Sequence, residues 1–370
     1  MTRSGLAQAR RLVVKVGSST IVAGTGGMDH DYLGDLARQV ATVRAQGRQV
    51  VIVSSGAIAA GAQRMGRKRM PRALPWSQAA AAVGQSLLMD GYAAAFEPLG
   101  VCVAQVLLTR ADLGDRTRFV NAAATMESLL SFGAVPIVNE NDTVSVEEIT
   151  FGDNDTLAAL VCPLVRADLL VLLSDVDGLY RDVAKRKDVI PEVGEVTPEI
   201  EALAGSAAGR MGRGGMLSKV NAARLAARCG VAVLLANGRE SEVLTRLVAG
   251  RPLGTHFRPL RSKMEGRKQW LALVGEVRGR LVVNEGAKRR VVQDGKSLLA
   301  VGIVDVEGDF GRRAMVALVG PSGEEFARGM ASYDADALRR VKGLRSAERR
   351  RVLGEGPDEV VHRDNMVVWG

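Results

Sequence analysis

Histidine and cysteine are scarce in this chain of 370 residues, three of each, and aromatic residues make up only 4%. His30, His256 and His362 stand far apart and belong to no motif, which argues against a hydrolase or phosphotransfer enzyme that works through histidine. Cys102, Cys162 and Cys229 are odd in number, widely spaced and set in apolar surroundings. A zinc site needs close spacing and a disulfide framework needs pairs, so all three are expected to be buried thiols. The few aromatics include no RNP-type motif and are too sparse for an obvious base-stacking platform. No run approaches the ~18 consecutive apolar residues of a membrane span, and MTRSGLAQARR at the N-terminus lacks the apolar core of a signal peptide, so a cytoplasmic location is expected. The Walker pattern GxxxxGK[ST] is also missing, as is any dedicated metal-binding motif.

What is present is an apolar fraction of 47% punctuated by 42 glycines, the composition of a packed α/β protein with many loops. The length exceeds that of one usual domain and suggests two. The net charge of +9 favours anionic ligands, and it is unevenly spread. Residues 261–370 carry 21 basic against 16 acidic side chains, making the C-terminal third the denser in positive charge.

The first 260 residues alternate short β-branched runs with alanine-rich helical stretches; the runs are Leu12 to Val16, Gln49 to Val53, Val101 to Leu107, Ala134 to Val138, Leu169 to Leu173 and Val231 to Leu235. Strands that are apolar almost throughout imply a mostly parallel sheet covered by helices on both faces. Ligands of such sheets bind at the carboxyl ends of the strands. The polar motifs fall there: Gly17 to Ser19, Ser54 to Gly56, Asn139 to Asp142, and Ser174 to Asp177. The basic, aperiodic stretch RPLRSKMEGRK then reads as a linker. Beyond it, short alternating strands separated by Gly and Asp predict a small β-rich domain. The expected organisation is an α/β domain over 1–260, a linker over 261–275, the small domain over 276–356 and a tail over 357–370.

Residues 138–157 read VNENDTVSVEEITFGDNDTL. Asn139, Asn141 and Asp142 close one end and Asp153, Asn154 and Asp155 the other. Side-chain oxygens of this kind hold an ammonium and amide groups hold a carboxylate, which suits an amino-acid ligand. The competing reading makes these residues turn formers, with Asp155 the N-cap of the helix that follows. Lys15 interrupts an apolar strand just before Gly17. A buried lysine is costly unless paired, although a strand-end lysine can also snorkel to solvent. Lys219 closes the glycine-rich stretch GRGGMLSK before a helical run, Val220 to Cys229, where amides favour anions. Asp155, a carboxylate able to lie between two lysines, could orient both.

NENDTV followed by GDND resembles the glutamate-phosphorylating branch of the amino acid kinase family. So do LVVKVGSS (12–19), VSSGAIAAG (53–61), AAAVGQ (80–85), LLTRADLGDRTRFVNA (107–122) and GRGGMLSK (212–219). The resemblance implies a three-layer αβα amino acid kinase fold and transfer of phosphate from ATP to the side-chain carboxylate of L-glutamate, the first step of proline biosynthesis. That carboxylate, with a pKa of about 4.3, is ionised at neutral pH, so no general base is required. By the same resemblance Lys15, Asp155 and Lys219 are catalytic, and Ser55, Gly56, Asn139, Asp142 and Asn154 bind the amino acid. ATP contacts are carried over to Lys15, Gly17, Ser174, Asp175, Gly212, Arg213, Gly214, Gly215, Met216, Leu217, Ser218 and Lys219. Ser174 stands where the family usually has threonine, and Arg213 where a small polar residue is common. YRDVAKRKDVIP lacks the usual Asp-Pro pair, which leaves the adenine and ribose contacts unassigned. Mg²⁺ would be bound by phosphate oxygens. Feedback by proline and a homo-oligomeric state are implied as well.

The C-terminal region resembles a PUA domain at Glu285 to Ala287, Ser297 to Leu299, Gly302, Ile303, Gly308 and Phe310, with Arg313 where glycine is frequent. The basic segment Ala335 to Arg351 reads as helical, either a solvated face or an interaction surface. Two alternatives stay open at this point: another amino acid kinase, acting on aspartate or acetylglutamate, and an RNA-binding protein working through the small domain.

Overall fold

The computed structural model describes residues 2–22, 27–67, 73–145, 153–182, 185–206, 215–260 and 277–368. The chain separates into two compact units, Met1–Met264 and Glu265–Gly370.

The first unit is built on an eight-stranded sheet. In chain order its strands are β1 (Arg11–Val16), β2 (Gln49–Ser54), β3 (Val103–Leu108), β4 (Val135–Glu140), β5 (Leu169–Ser174), β8 (Glu192–Val193), β9 (Ala232–Asn237) and β10 (Thr255–Phe257), while β6 (Tyr180–Asp182) and β7 (Lys187–Val189) form a separate hairpin. Their order across the sheet is β3-β4-β2-β1-β5-β9-β10-β8, and β3 through β9 run parallel, with β10 antiparallel to β9. β1 and β5 lie side by side in the middle of the sheet, covered on both faces: every residue of β5 is buried, and every residue of β1 except Arg11.

Side chains alternate across a strand, so Leu12, Val14 and Val16 face one side with α2 (His30–Ala45), α4 (Leu74–Phe96) and α10 (Val243–Val248). Lys15 points to the other side, toward α7 (Asn154–Leu164), which together with α9 (Met216–Arg228) covers that face. The remaining helices of this unit are α1 (Ser18–Ile21), α3 (Ala57–Arg64), α5 (Arg110–Gly114), α6 (Arg116–Ser131) and α8 (Pro198–Ser206). The chain goes from β4 across β1 to β5, so strand order reverses near the middle and a crevice opens at the carboxyl ends. The amino acid kinase architecture expected from the sequence is therefore present, with strand ends within two residues of the expected runs.

α3 and α4 meet backbone to backbone. A Cβ on Gly61 would lie 1.8 Å from the Ala80 carbonyl oxygen, and one on Gly84 would lie 1.7 Å from that of Ala57. Only glycine permits that approach, which fixes both helices as one block beside the crevice.

In the second unit, β11 (Val277–Val283), β12 (Leu298–Leu299), β13 (Ile303–Glu307), β14 (Met315–Val319), β15 (Glu325–Ala331) and β16 (Glu359–Val368) form a six-stranded sheet with α11 (Glu285–Val292), α12 (Ala335–Val341) and α13 (Ser346–Leu353). The expected tail 357–370 is corrected here: β16 pairs with both β15 and β12, because Val360, Val361, Met366 and Val367 are apolar and enter the core. The basic segment after Ala335 is two helices parted at Gly343, where φ is +79°. Arg313 adopts φ +64°, a left-handed backbone that explains why glycine suits the position. The expected linker, 261–275, lies outside the described residues.

Candidate active site

Lys15 is the fifth residue of β1, in register between Val53 of β2 and Leu172 of β5, and is 5% exposed. Its ammonium lies 2.6 Å from Asp155 Oδ1, and that of Lys219 lies 3.1 Å from Oδ2. Asp155 is fully buried and Lys219 is 7% exposed. The Ser218 hydroxyl also donates to Oδ2, at 3.0 Å. Burial pushes the Asp155 carboxyl up; the charges and hydrogen bonds of Lys15 and Lys219 outweigh it and hold the group below its ordinary value. One buried carboxylate is thus shared by two buried ammoniums, an arrangement that suits an anion beside it.

Local sequence explains the placement. Asp153, not Asp155, is the N-cap of α7, accepting from the Thr156 N–H at 2.7 Å. Asp155 is left in the first turn, where the positive end of the helix dipole favours a carboxylate. α9 begins at Met216 rather than at Val220, with Gly215 as its N-cap, and this brings Met216, Leu217, Ser218 and Lys219 into its first helical residues. Gly17 follows β1 directly; a Cβ there would lie 3.7 Å from the Lys15 ammonium. The Gly17 backbone thus lies directly beside that charge.

The neighbouring residue of α7 faces a different cluster. Helix geometry turns successive residues by about 100°, so Asn154 points away from Asp155's partners. Its Nδ2 lies 2.7 Å from the Ser54 carbonyl, 3.0 Å from Ser55 Oγ and 2.9 Å from Asn139 Oδ1. Gly56, with φ +107°, turns the chain from β2 into α3, and β4 delivers Asn139 at its end. Asp142 is half-buried in the turn after β4.

A third group surrounds the end of β5. Ser174 Oγ donates to Asp175 Oδ1 at 3.1 Å, and the Gly238 N–H donates to the Ser174 carbonyl at 2.7 Å. Asp177 accepts from Asn237 Nδ2 at 2.9 Å and from the Tyr180 hydroxyl at 3.0 Å. Among the described residues no group of three or more His, Cys, Asp or Glu could hold a metal ion.

Residues 10–237 match the model of the amino acid kinase family, and residues 279–353 match that of the PUA domain. The chain belongs to the amino acid kinase family. It is similar to a glutamate 5-kinase of Moorella thermoacetica, 49% identical with 100% of this chain and 98% of that protein covered, and to one of Geobacter sulfurreducens, 47% identical with 99% and 100% covered. Among solved structures, carbamate kinase from Giardia lamblia bound to AMP-PNP superposes with a TM-score of 0.50 at 17% identity, covering 68% of this chain and 99% of that one, which speaks for the fold alone.

Within this kinase unit, Lys15, Asp155 and Lys219 come together as one buried triad, and Ser55, Asn139 and Asn154 as one hydrogen-bonded cluster. Gly212, Arg213 and Gly214 lie outside the described residues. The expectation of three buried thiols fails for Cys102, which is exposed just ahead of β3; Cys162 and Cys229 are buried. Sequence reasoning assigned no role to Gln85 or Tyr92 of α4. Gln85 accepts from Asn139 Nδ2 at 3.0 Å, and the Tyr92 hydroxyl donates to Ser54 Oγ at 3.0 Å. The signal for Gln85 was a polar residue ending the apolar run AAAVGQ. Asn237, the last residue of β9, was missed because its strand carried no motif.

Proposed function

We propose that this kinase phosphorylates the side-chain carboxylate of L-glutamate with ATP, giving L-glutamyl 5-phosphate, the first step of proline biosynthesis, and does so in the cytoplasm. The observation that carries the reading is that two adjacent residues, Asn154 and Asp155, join an amide-lined cluster to a buried pair of ammoniums. The curated relatives of this length bear the name glutamate 5-kinase.

In this reading the acceptor lies against Ser55, Gly56, Asn139, Asp142 and Asn154. Its α-ammonium is met by side-chain oxygens and its α-carboxylate by donors at the start of α3. The reacting carboxylate is already ionised and needs only to be brought up to phosphorus and shielded from the repulsion of the phosphate oxygens. Lys15, between the two anions, supplies that shielding. Lys219 stabilises charge growing on the leaving phosphate, with Gly17 and the residues from Gly212 to Ser218 holding the nucleotide and Ser174 and Asp175 bounding it. Asp155 keeps both ammoniums aimed, and its charge, held by burial between two lysines, is unavailable to a metal. Mg²⁺ would therefore arrive on the phosphates, where it offsets their charge, with no protein cage. Proline, which also presents an α-ammonium and an α-carboxylate, would compete at the acceptor cluster.

A coupled assay of ATP consumption tests the proposal, comparing glutamate with aspartate, acetylglutamate and no acceptor. Glutamate-dependent ADP release well above the other three is the expected result. Equal or greater turnover with aspartate or acetylglutamate would overturn the substrate assignment while leaving the phosphoryl-transfer chemistry standing.

A further inference from the structure

We propose that Gln85 is a positioning residue that sets the direction of the amides in the acceptor cluster, an inference that rests on the reading of this cluster as the acceptor site. The direction of every amide here can be traced from backbone groups whose roles are fixed. The Glu140 N–H can only donate, and it donates to Asn139 Oδ1 at 2.9 Å. Asn139 therefore presents its Nδ2 on its other side, where Gln85 Oε1 accepts at 3.0 Å. The Ser54 carbonyl can only accept, so Asn154 directs its Nδ2 toward Ser54, Ser55 and Asn139 Oδ1. That leaves Asn154 Oδ1 as the group turned away from those partners, an acceptor suited to an ammonium.

The cost of this arrangement falls on Gln85. With Oε1 committed to Asn139, its Nε2 is buried with no hydrogen-bond partner among the described residues, in a residue only 9% exposed. A purely space-filling position would carry leucine or methionine and avoid the orphaned donor. What glutamine offers here and leucine or methionine would not is the oxygen that Asn139 uses.

Its position is enforced by the helix that carries it. α4 is locked to α3 by the glycine contact at Gly61 and Gly84, and α3 starts at Gly56 beside Ser55. Two turns beyond Gln85 on the same face, Tyr92 reaches Ser54. One helix thus braces the ends of both β2 and β4 against the same cluster.

The test uses the full chain with Gln85→Met, which keeps the volume and removes the oxygen, and Gln85→Glu, which keeps an acceptor oxygen. KM for glutamate should rise about tenfold in Gln85→Met with KM for ATP unchanged, and Gln85→Glu should stay within about threefold of the parent. A folded Gln85→Met protein with an unaltered glutamate KM overturns the proposal, as does an equal rise in both KM values or an equal defect in the two variants. Should Gln85→Met fail to fold, a glutamate KM in Gln85→Glu raised tenfold or more still overturns it. If the parent protein does not use glutamate, the substrate reading fails and the positioning role is decided by crystal structures. Asn154 must then lose its contact with Ser55 in Gln85→Met, and an unchanged contact refutes the role.

Discussion

At the scale of single residues, the proposed function rests on the buried triad of Lys15, Asp155 and Lys219. Lysine-to-methionine changes at Lys15 and Lys219 preserve volume and stem packing while removing the charge proposed to act on the reacting phosphate. Each should cut kcat by roughly 100- to 1000-fold, the usual loss for an oriented charge contact worth about 2.7–4 kcal/mol, with circular dichroism unchanged. Asp155 behaves differently because its partners would remain. Asp155→Asn leaves two buried ammoniums facing a neutral amide, so it should cost roughly 3–5 kcal/mol of stability as well as activity. Its pH signature has a definite sign. The folded carboxyl is held below its ordinary value, so its contribution is complete above the unfolded value of about 3.9 and is lost as pH falls through the folded one. Denaturant unfolding measured from neutral pH down through that window should show a stability loss in the parent protein that the Asn variant lacks. Asp142 is proposed for the other half of the site. Asp142→Ala should raise the glutamate KM and weaken inhibition by proline, with the ATP KM nearly unchanged; the reverse pattern would move Asp142 to the nucleotide side.

Between single side chains and the whole fold, elements deliver these groups, and α4 shows how. Gly84→Ala would place a methyl 1.7 Å from a backbone oxygen of α3, so the helices must separate. Overpacking of this kind costs roughly 1–3 kcal/mol, and here it should also raise the acceptor KM because Gln85 and Gly56 move with the helices. Thermal melting and glutamate titration together check both effects. This contact also marks the limit of what sequence conveys. The strands were legible because each is a short, mostly apolar run, and Lys15 was legible because a charge stands out in such a run. The partnership of Gln85 with Asn139 was not, since two residues 54 positions apart meet only once α4 packs against α3. The same holds for the N-cap of α7: DND offers two aspartates, and packing against Lys15 rather than local preference selects Asp153 for the cap. β16 was read as a tail because its polar centre, His362 to Asn365, interrupts the alternation that its apolar ends satisfy. Arg313 lay in a family glycine position, and the left-handed backbone there supplies the reason.

On the scale of the molecule, the two compact units divide the chain by chemistry as well as by contact. Every residue placed in the triad, the amide cluster or the β5 loop lies in the first unit, and the kinase family match ends at residue 237. The first unit has a core around Leu12, Val14 and Leu88, and the second has one of Leu281, Val316, Leu318, Phe326 and their neighbours. A chain ending at Met264 should therefore fold and phosphorylate glutamate with a kcat within a few-fold of the full protein. The extra positive charge carried by residues 261–370 does not alter that expectation, because attraction to phosphate from a basic surface is long-ranged, salt-sensitive and unspecific. Glutamate-dependent ADP release by the truncated chain, with its melting temperature and its mass in solution measured alongside, decides the matter. A folded truncation that has lost all turnover would mean that the PUA unit completes the active site or the assembly that supports it. Retained turnover would place the purpose of that unit outside the phosphoryl transfer. Binding of residues 277–370 to a structured RNA that survives raised salt and exceeds binding to random RNA would then assign it a recognition role, whereas affinity that vanishes with salt would leave only a solvated basic surface.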